Sequence, residues 1–429
     1  MTTTRIEQIR QTLGQEIWIE GWLYNKRSSG GIQFLQVRDG SGIIQGVVTK
    51  KNEKNFLLAE RLTQESSIRV KGIAKEDPRS PTGYELSIQE IELVHLAEEY
   101  PITPKDHGTG FLMDNRHLWM RSSKQVPVLR IRHEVMQAIR DYFNEHGFIA
   151  TESPILTGVS VEGTTTLFGV DYFGEKAFLS QSGQLYLEAT AMALGRVYWI
   201  GPTFRAEQSK TRKHLTEFWM AEAEVAYFDH EDNLRLQEDL VKYIIGRVIQ
   251  NKLPDLKALD RDISKLEKII AESFARVTYK QAIDLLNEKG MGKSWGDDFG
   301  APDEEAISDH FKKPVFIEKF PAVMKAFYME PDPENQELVK AADLIAPEGY
   351  GEIIGGSERI SNKELLLKKL EEHKLPREPY EWYIDLRKYG SVPHAGFGMG
   401  VERTVAWITG VTHLRECIPF PRQLHRLTP

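Results

Sequence analysis

Cysteine is all but missing from this sequence. Cys417 stands alone in a chain of 429 residues, which excludes an internal disulfide and any zinc site built from several thiolates. None of the 12 histidines falls in an HExxH or comparable ligand spacing, so any metal is expected to be a hard ion held by carboxylates. Long apolar runs are lacking too. None approaches the roughly 18 residues that span a bilayer, and the start MTTTRIEQIR has no basic-then-apolar leader layout. A soluble, cytoplasmic protein with no membrane association is expected. Surplus positive charge is also absent. A formal net charge of −8 argues against coating nucleic acid by bulk electrostatics. It leaves room for RNA bound through local basic patches and stacking on unpaired bases. No internal repeat is found.

What is present is a 41% apolar and 28% charged chain, long enough for two or three domains with cores of their own. Between Trp18 and about Leu96 the pattern is short, alternating and strand-like: IWIEGWLYNKR, IQFLQVRDGSG, IIQGVVT, SSIRVKGIAK and YELSIQEIELV, with Gly, Ser, Asn and Asp at the turns. A helix-like stretch, KNEKNFLLAERLTQ, separates the third and fourth. That order fits an OB-fold barrel over residues 1–100, with another small all-β barrel as the alternative. Residues 101–122 are rich in Pro, Gly and polar side chains and read as a linker or hinge. The remainder, 123–429, opens with an amphipathic helix in which Val128, Ile131, Val135, Ile139 and Phe143 recur at helical spacing. It continues as α+β with a large antiparallel sheet and flanking helices. Residues 253–333, more charged and less patterned, read as an insertion whose loss would spare the catalytic residues.

Three constellations carry chemistry. In residues 201–228, GPTFRAEQSKTRKHLTEFWMAEAEVAYF, a strand bearing Arg205 and Glu207 turns through a basic loop and returns with Phe218 and Glu222. The planar fork of an arginine can grip phosphate and carboxylate, a carboxylate two positions on can accept from an adenine amino group, and Phe218 offers a stacking face. A solvated charged hairpin has the same composition. In residues 390–410, GSVPHAGFGMGVERTVAWITG, a glycine-rich strand allows close approach and leads to Arg403 at a helix start. Glycine serving packing alone would read likewise. In residues 341–360, AADLIAPEGYGEIIGGSERI, Glu352 and Arg359 flank a Gly-Gly-Ser stretch. This suits a Mg²⁺ carboxylate and a carboxylate- or amide-reading arginine, although Glu352 could equally be a surface carboxylate.

Taken together, the three resemble the class II aminoacyl-tRNA synthetases. FIATESPIL, around Pro154, matches their dimer-forming motif 1, GPTFRAE through EFW matches motif 2, and GFGMGVER matches motif 3. The N-terminal barrel adds the aspartyl, asparaginyl and lysyl subgroup, so the resemblance covers nearly the whole chain. It implies a homodimer that activates an amino acid with ATP and transfers it to tRNA.

By the same resemblance, Arg205 binds the α-phosphate and the amino-acid carboxylate, and Glu207 reads the adenine amino group. Phe218 stacks on the ring, and Arg403 grips the γ-phosphate. His214 lies near the terminal phosphates. Glu352 is the Mg²⁺ ligand. Gly355 stands where aspartyl enzymes have a serine as second ligand, which puts the second metal contact in doubt. Glu162 and Gln184 are implied around the α-ammonium group, Glu222 and Arg359 toward the side chain, and VEGTTTLF as a closing loop. In the barrel, Phe34 and Gln45 match positions that stack on and hydrogen-bond the central anticodon uridine. Lys26, Arg27 and Arg38 are expected to meet phosphates.

Aspartate and asparagine share a shape, so charge must separate them. Aspartyl enzymes carry a lysine in a QSPQLYK-like motif. This chain has QSGQLYLE, with Leu187 at that position, and Glu222 repels a carboxylate while accepting from an amide. L-asparagine and tRNA(Asn) are therefore the expected substrates. The alternatives are a non-discriminating aspartyl enzyme, a synthetase-derived asparagine synthetase and a non-catalytic RNA-binding paralogue.

Overall fold

The computed structural model describes residues 3–80, 82–161 and 166–429. The chain falls into two compact units, Met1–Met113 and Asp114–Pro429.

The first unit is a closed barrel of β1 (Glu16–Ser29), β2 (Ile32–Arg38), β3 (Ile43–Thr49), β4 (Ser67–Glu76) and β5 (Tyr84–His95) in the order β1-β2-β3-β5-β4. The helix Glu53–Arg61 lies between β3 and β4 in sequence. Alternation decides the core: Leu35 and Val37 of β2 and Ile44 and Val48 of β3 are buried, so the residues between them face outward. Phe34 and Gln45 therefore share the outer face, half-buried, with Phe34 opposite Val47 and Gln36 opposite Gln45. Arg27 stacks on Phe34 at 4.4 Å from the ring centroid. Arg38, expected to meet phosphate, is buried, ion-paired to Glu65 at 2.8 Å and set over the Trp22 ring at 5.0 Å from its centroid.

The second unit is built on an eight-stranded sheet. Its strands are β6 (Ile149–Ala150), β10 (Arg196–Phe204), β11 (Glu217–Ala226), β12 (Ala275–Thr278), β13 (Val315–Glu318), β14 (Ala341–Ala346), β15 (Gly351–Glu358) and β16 (His394–Gly400). The order is β12-β13-β14-β15-β16-β11-β10-β6. The central pairs are antiparallel, while β12/β13 and β10/β6 at the two edges are parallel. β7 (Leu156–Thr157), β8 (Gly169–Tyr172) and β9 (Glu175–Leu179) form a separate small sheet. The helices Gln125–Glu145 and His230–Ala258 supply Val128, Ile131, Ile139, Phe143, Val241, Ile244 and Val248 to one core with Ala221, Ala223, Val225, Phe397 and Met399 of the sheet. Each fully buried aliphatic or aromatic side chain contributes about 1.5–3 kcal/mol. Because strands alternate, Glu222, Glu224, Gly396 and Gly398 then face the other way. The region expected as an insertion contributes β12 and β13 to the sheet and the helix Ala301–Phe311 beside it.

Candidate active site

Strand register assembles the site. On the face away from the helices, Glu222 of β11 pairs with Gly398 of β16, Gly398 with Gly355 of β15, and Gly355 with Asp343 of β14. Two carboxylates thus bracket two glycines in one row. With strands about 4.8 Å apart the row spans roughly 14 Å. A Cβ on Gly398 would come within 2.6 Å of Met220, and one on Gly355 within 3.0 Å of the Glu352 carboxylate, so the absent side chains make the floor of a cleft. That cleft, about 900 Å³, is lined among others by Gln184, Leu187, Arg205, Glu222, Asp343 and Glu352, and also by Arg359. The next row up has the same design: Glu224 pairs with Gly396 and Gly396 with Ser357. A Cβ on Gly396 would sit 2.0 Å from the Glu224 carboxylate.

A smaller adjoining pocket holds the motif 2 and motif 3 residues Arg205, Glu207, His214, Phe218 and Arg403. β10 stops at Phe204, so Arg205 and Glu207 lie on the irregular segment past its end rather than within the strand. The backbone N–H of Arg205 donates to Thr216 O, and its guanidinium lies 5.4 Å from the Phe218 ring centroid. His214 faces Glu207 at 3.4 Å and bonds to Thr211. Burial, together with Arg403, Arg205 and Lys213, lowers the His214 pKa against the opposing pull of Glu207. Arg403, in the first turn of the helix Val401–Thr409, donates to Glu352 O at 2.6 Å and stands 3.8 Å from the Glu352 carboxylate.

The second carboxylate near Glu352 is Asp343, which the sequence reading passed over. Glu352 and Asp343 flank Gly355, at 3.0 and 3.6 Å from where its Cβ would be. Burial and the charges of Glu352 and Glu304 push the Asp343 carboxyl up to about 6, although Lys325 donates to it at 2.6 Å. Oxygen-only donors at a point where negative charge is crowded fit a hard divalent cation. The one signal for Asp343 is a lone charge in the apolar strand AADLIA. Glu304, from the helix Ala301–Phe311, accepts from the Glu352 N–H at 3.4 Å and meets Lys213 at 3.4 Å.

On the cleft wall, Leu187 is 1% exposed and packs with Ala191, Val197 and Trp199. Gly183 ties it to Glu222: Gly183 O accepts from the Leu187 N–H, and Gly183 N–H donates to the Glu222 carboxylate at 2.8 Å. Arg359 is held by Glu224 rather than by Glu222, with contacts of 3.0–3.3 Å, and donates to Ser357 at 2.7 Å. Glu162 and the rest of 162–165 lie outside the described residues.

Residues 109–424 match the family "tRNA synthetases class II (D, K and N)", and residues 17–94 match an OB-fold nucleic acid binding domain. The chain is 59% identical over 430 residues to the asparagine–tRNA ligase of Desulforamulus reducens and 58% identical over 431 to that of Pelotomaculum thermopropionicum, covering 100% of each. The structure of asparaginyl-tRNA synthetase from Pyrococcus horikoshii complexed with asparaginyl-adenylate aligns at a TM-score of 0.96 and 40% identity over 100% of both chains. The glycine-floored carboxylate row, the two motif arginines beside it and a family match over most of the sequence give one conclusion: this chain belongs to the class II tRNA synthetases of the aspartate, lysine and asparagine group.

Proposed function

We propose that the protein is an asparagine–tRNA ligase: it activates L-asparagine with ATP to asparaginyl-adenylate and transfers the asparaginyl group to tRNA(Asn). The observation that carries the choice of amino acid is the pairing of Leu187 with Glu222 across Gly183 on the cleft wall. An apolar side chain and a carboxylate offer an amide a hydrogen-bond acceptor and offer a second carboxylate no counter-charge. Amino-acid-dependent ATP–pyrophosphate exchange across the twenty amino acids tests this. Asparagine is expected to dominate, and another amino acid dominating would end the reading.

In this mechanism catalysis is alignment and charge stabilisation. Arg205 spans the α-phosphate and the amino-acid carboxylate, which brings nucleophile and phosphorus together. Phe218 and Arg403 enclose the adenine, Glu207 accepts from its amino group, and His214 and Arg403 face the terminal phosphates. Gln184, with Glu162, receives the α-ammonium group, and Arg359 and Glu222 face the side chain. Glu352 and Asp343 would hold Mg²⁺, which neutralises phosphate charge when bound. Asp343→Asn is expected to lower exchange about 10²-fold, the usual cost of losing one stabilising group in such a site, with a raised Mg²⁺ requirement. Unaltered Mg²⁺ dependence would remove Asp343 from this role.

In the barrel, Phe34 and Gln45 are proposed to stack on and read the central anticodon base. Phe34→Ala is expected to weaken tRNA charging by about 1–3 kcal/mol while exchange stays unchanged, since Phe34 belongs to a unit with its own core. An equal fall in both activities would count against an independent anticodon reader. A homodimer is proposed as well. Its support is the apolar surface around the motif 1 segment, where Ile149, Ile155, Leu156, Tyr172 and Phe173 are exposed. Among the described residues no helix is long and apolar enough to cross a membrane, and the cytoplasm is the proposed location.

A further inference from the structure

Behind the amino-acid end of the cleft lies a fully buried ionic cluster that none of the roles above uses. Its centre is Glu188, one helical turn after Gln184 on the helix Gln184–Leu194. The Glu188 carboxylate accepts from Gln184 Nε2 at 3.1 Å, from Tyr383 OH at 2.8 Å, from Arg387 at 2.6 Å and from His394 Nε2 at 3.0 Å. Burial opposes its charge, but Arg387 and His394 hold the carboxyl below its ordinary range. Glu188, Glu224 and His394 bring ligand atoms within 4.8 Å of one another. Arg387 and Arg359 already supply the cations, so protein charges rather than a metal close the cluster.

Both ring nitrogens of His394 are engaged: Nδ1 lies 2.8 Å from Val392 O and Nε2 lies 3.0 Å from the Glu188 carboxylate. The groups around the ring from other elements are Glu188, Glu224, Arg387, Tyr383, Arg359 and Glu330. The cluster reaches the cleft along two arms. Donation from Gln184 Nε2 to Glu188 leaves the amide oxygen as what Gln184 offers the cavity it lines, an acceptor for an ammonium group. On the other arm, His394 O accepts from the Arg359 N–H at 2.9 Å, and Arg387 Nε donates to Ile360 O at 2.8 Å. The chain is thus gripped on both sides of the Arg359 side chain.

We propose that Glu188, His394 and Arg387 are positioning residues for amino-acid selection, which together fix the Gln184 amide and the Arg359 backbone. The proposal deepens the asparagine-activating reading and rests on it for its kinetic consequence. Two variants of the full-length enzyme test it. Glu188→Gln, which keeps the shape but turns an acceptor pair into a mixed amide, is expected to raise the KM for asparagine about tenfold. The KM for ATP is expected to stay near its original value. An unchanged KM for asparagine in the folded variant, or equal rises for asparagine and ATP, overturns it. Tyr383→Phe, which removes one donor to Glu188 and leaves its charge partners in place, keeps the test decisive if Glu188→Gln does not fold: it is expected to raise the KM for asparagine severalfold with the KM for ATP unchanged, and no such rise overturns the proposal. An unchanged enzyme with no asparagine-dependent exchange refutes the asparagine reading instead.

Discussion

Arg205→Ala and Arg403→Ala are each expected to cut asparagine-dependent ATP–pyrophosphate exchange by about 10²- to 10³-fold, the range seen when one preorganised charge-stabilising donor is removed. The positions of the two side chains explain the size. Arg205 lies at the junction of the two pockets and lines both, so its loss removes the one group proposed to touch phosphate and amino acid together. Arg403 is held by Glu352 O at 2.6 Å from a helix start that is otherwise buried. Its guanidinium is therefore preset rather than ordered on binding. Neither residue belongs to the apolar core, and thermal unfolding followed by circular dichroism is expected to match the unchanged enzyme. Near-normal exchange by both folded variants would refute the assigned roles.

The enzyme is expected to activate asparagine at least about 10³-fold better than aspartate in kcat/KM. An aspartate carboxylate in this cleft would be desolvated without a partner, a loss of roughly 4 kcal/mol, and each ~1.4 kcal/mol is tenfold. The guanidinium of Arg359 is already engaged by Glu224 through three contacts. Glu222 is 3% exposed and adds like-charge repulsion. Leu187→Lys is expected to narrow the ratio by improving aspartate or harming asparagine. It also forces an ammonium among Val197, Trp199 and Ala191, so a full reversal is not expected. Steady-state exchange with both amino acids measures this. Comparable activation of the two by the unchanged enzyme would favour a non-discriminating aspartyl enzyme and leave the family membership intact.

Motifs whose chemistry sits on adjacent residues were legible without coordinates. GPTFRAE with EFW places an arginine, a carboxylate and an aromatic ring around one turn, and GFGMGVER joins a glycine strand to a helix-start arginine. Local geometry forces those residues together wherever the chain folds. The barrel was legible for a related reason: alternation with a period of two names the inward set, which places Phe34 and Gln45 on the same outer face. Even here the strand end was misplaced, since β10 stops at Phe204 and leaves Arg205 and Glu207 in irregular chain.

Residues brought together by pairing between distant strands were not legible. Asp343 joins Glu352 only because β14 pairs with β15 in the register that sets Asp343 against Gly355, and an isolated aspartate in AADLIA carries no mark of that partner. Glu304 arrives from a region whose weak patterning suggested dispensability, through a helix whose placement no local spacing encodes. Arg359 lines the same cleft as Glu222, but its guanidinium is held by Glu224, since side chains two apart on a strand share a face and only the register of β16 between β11 and β15 sets which row faces the arginine. The ionic cluster of Glu188, His394 and Arg387 spans residues 188 to 394 and has no periodic trace, because burial with mutual charge compensation belongs to the packed molecule. The sequence alone thus determined the family, the barrel and the side chains of each motif. The sheet's long-range register decided which carboxylate faces which cation, because electrostatic partners are set by distance in space and a period in sequence records only which face a residue is on.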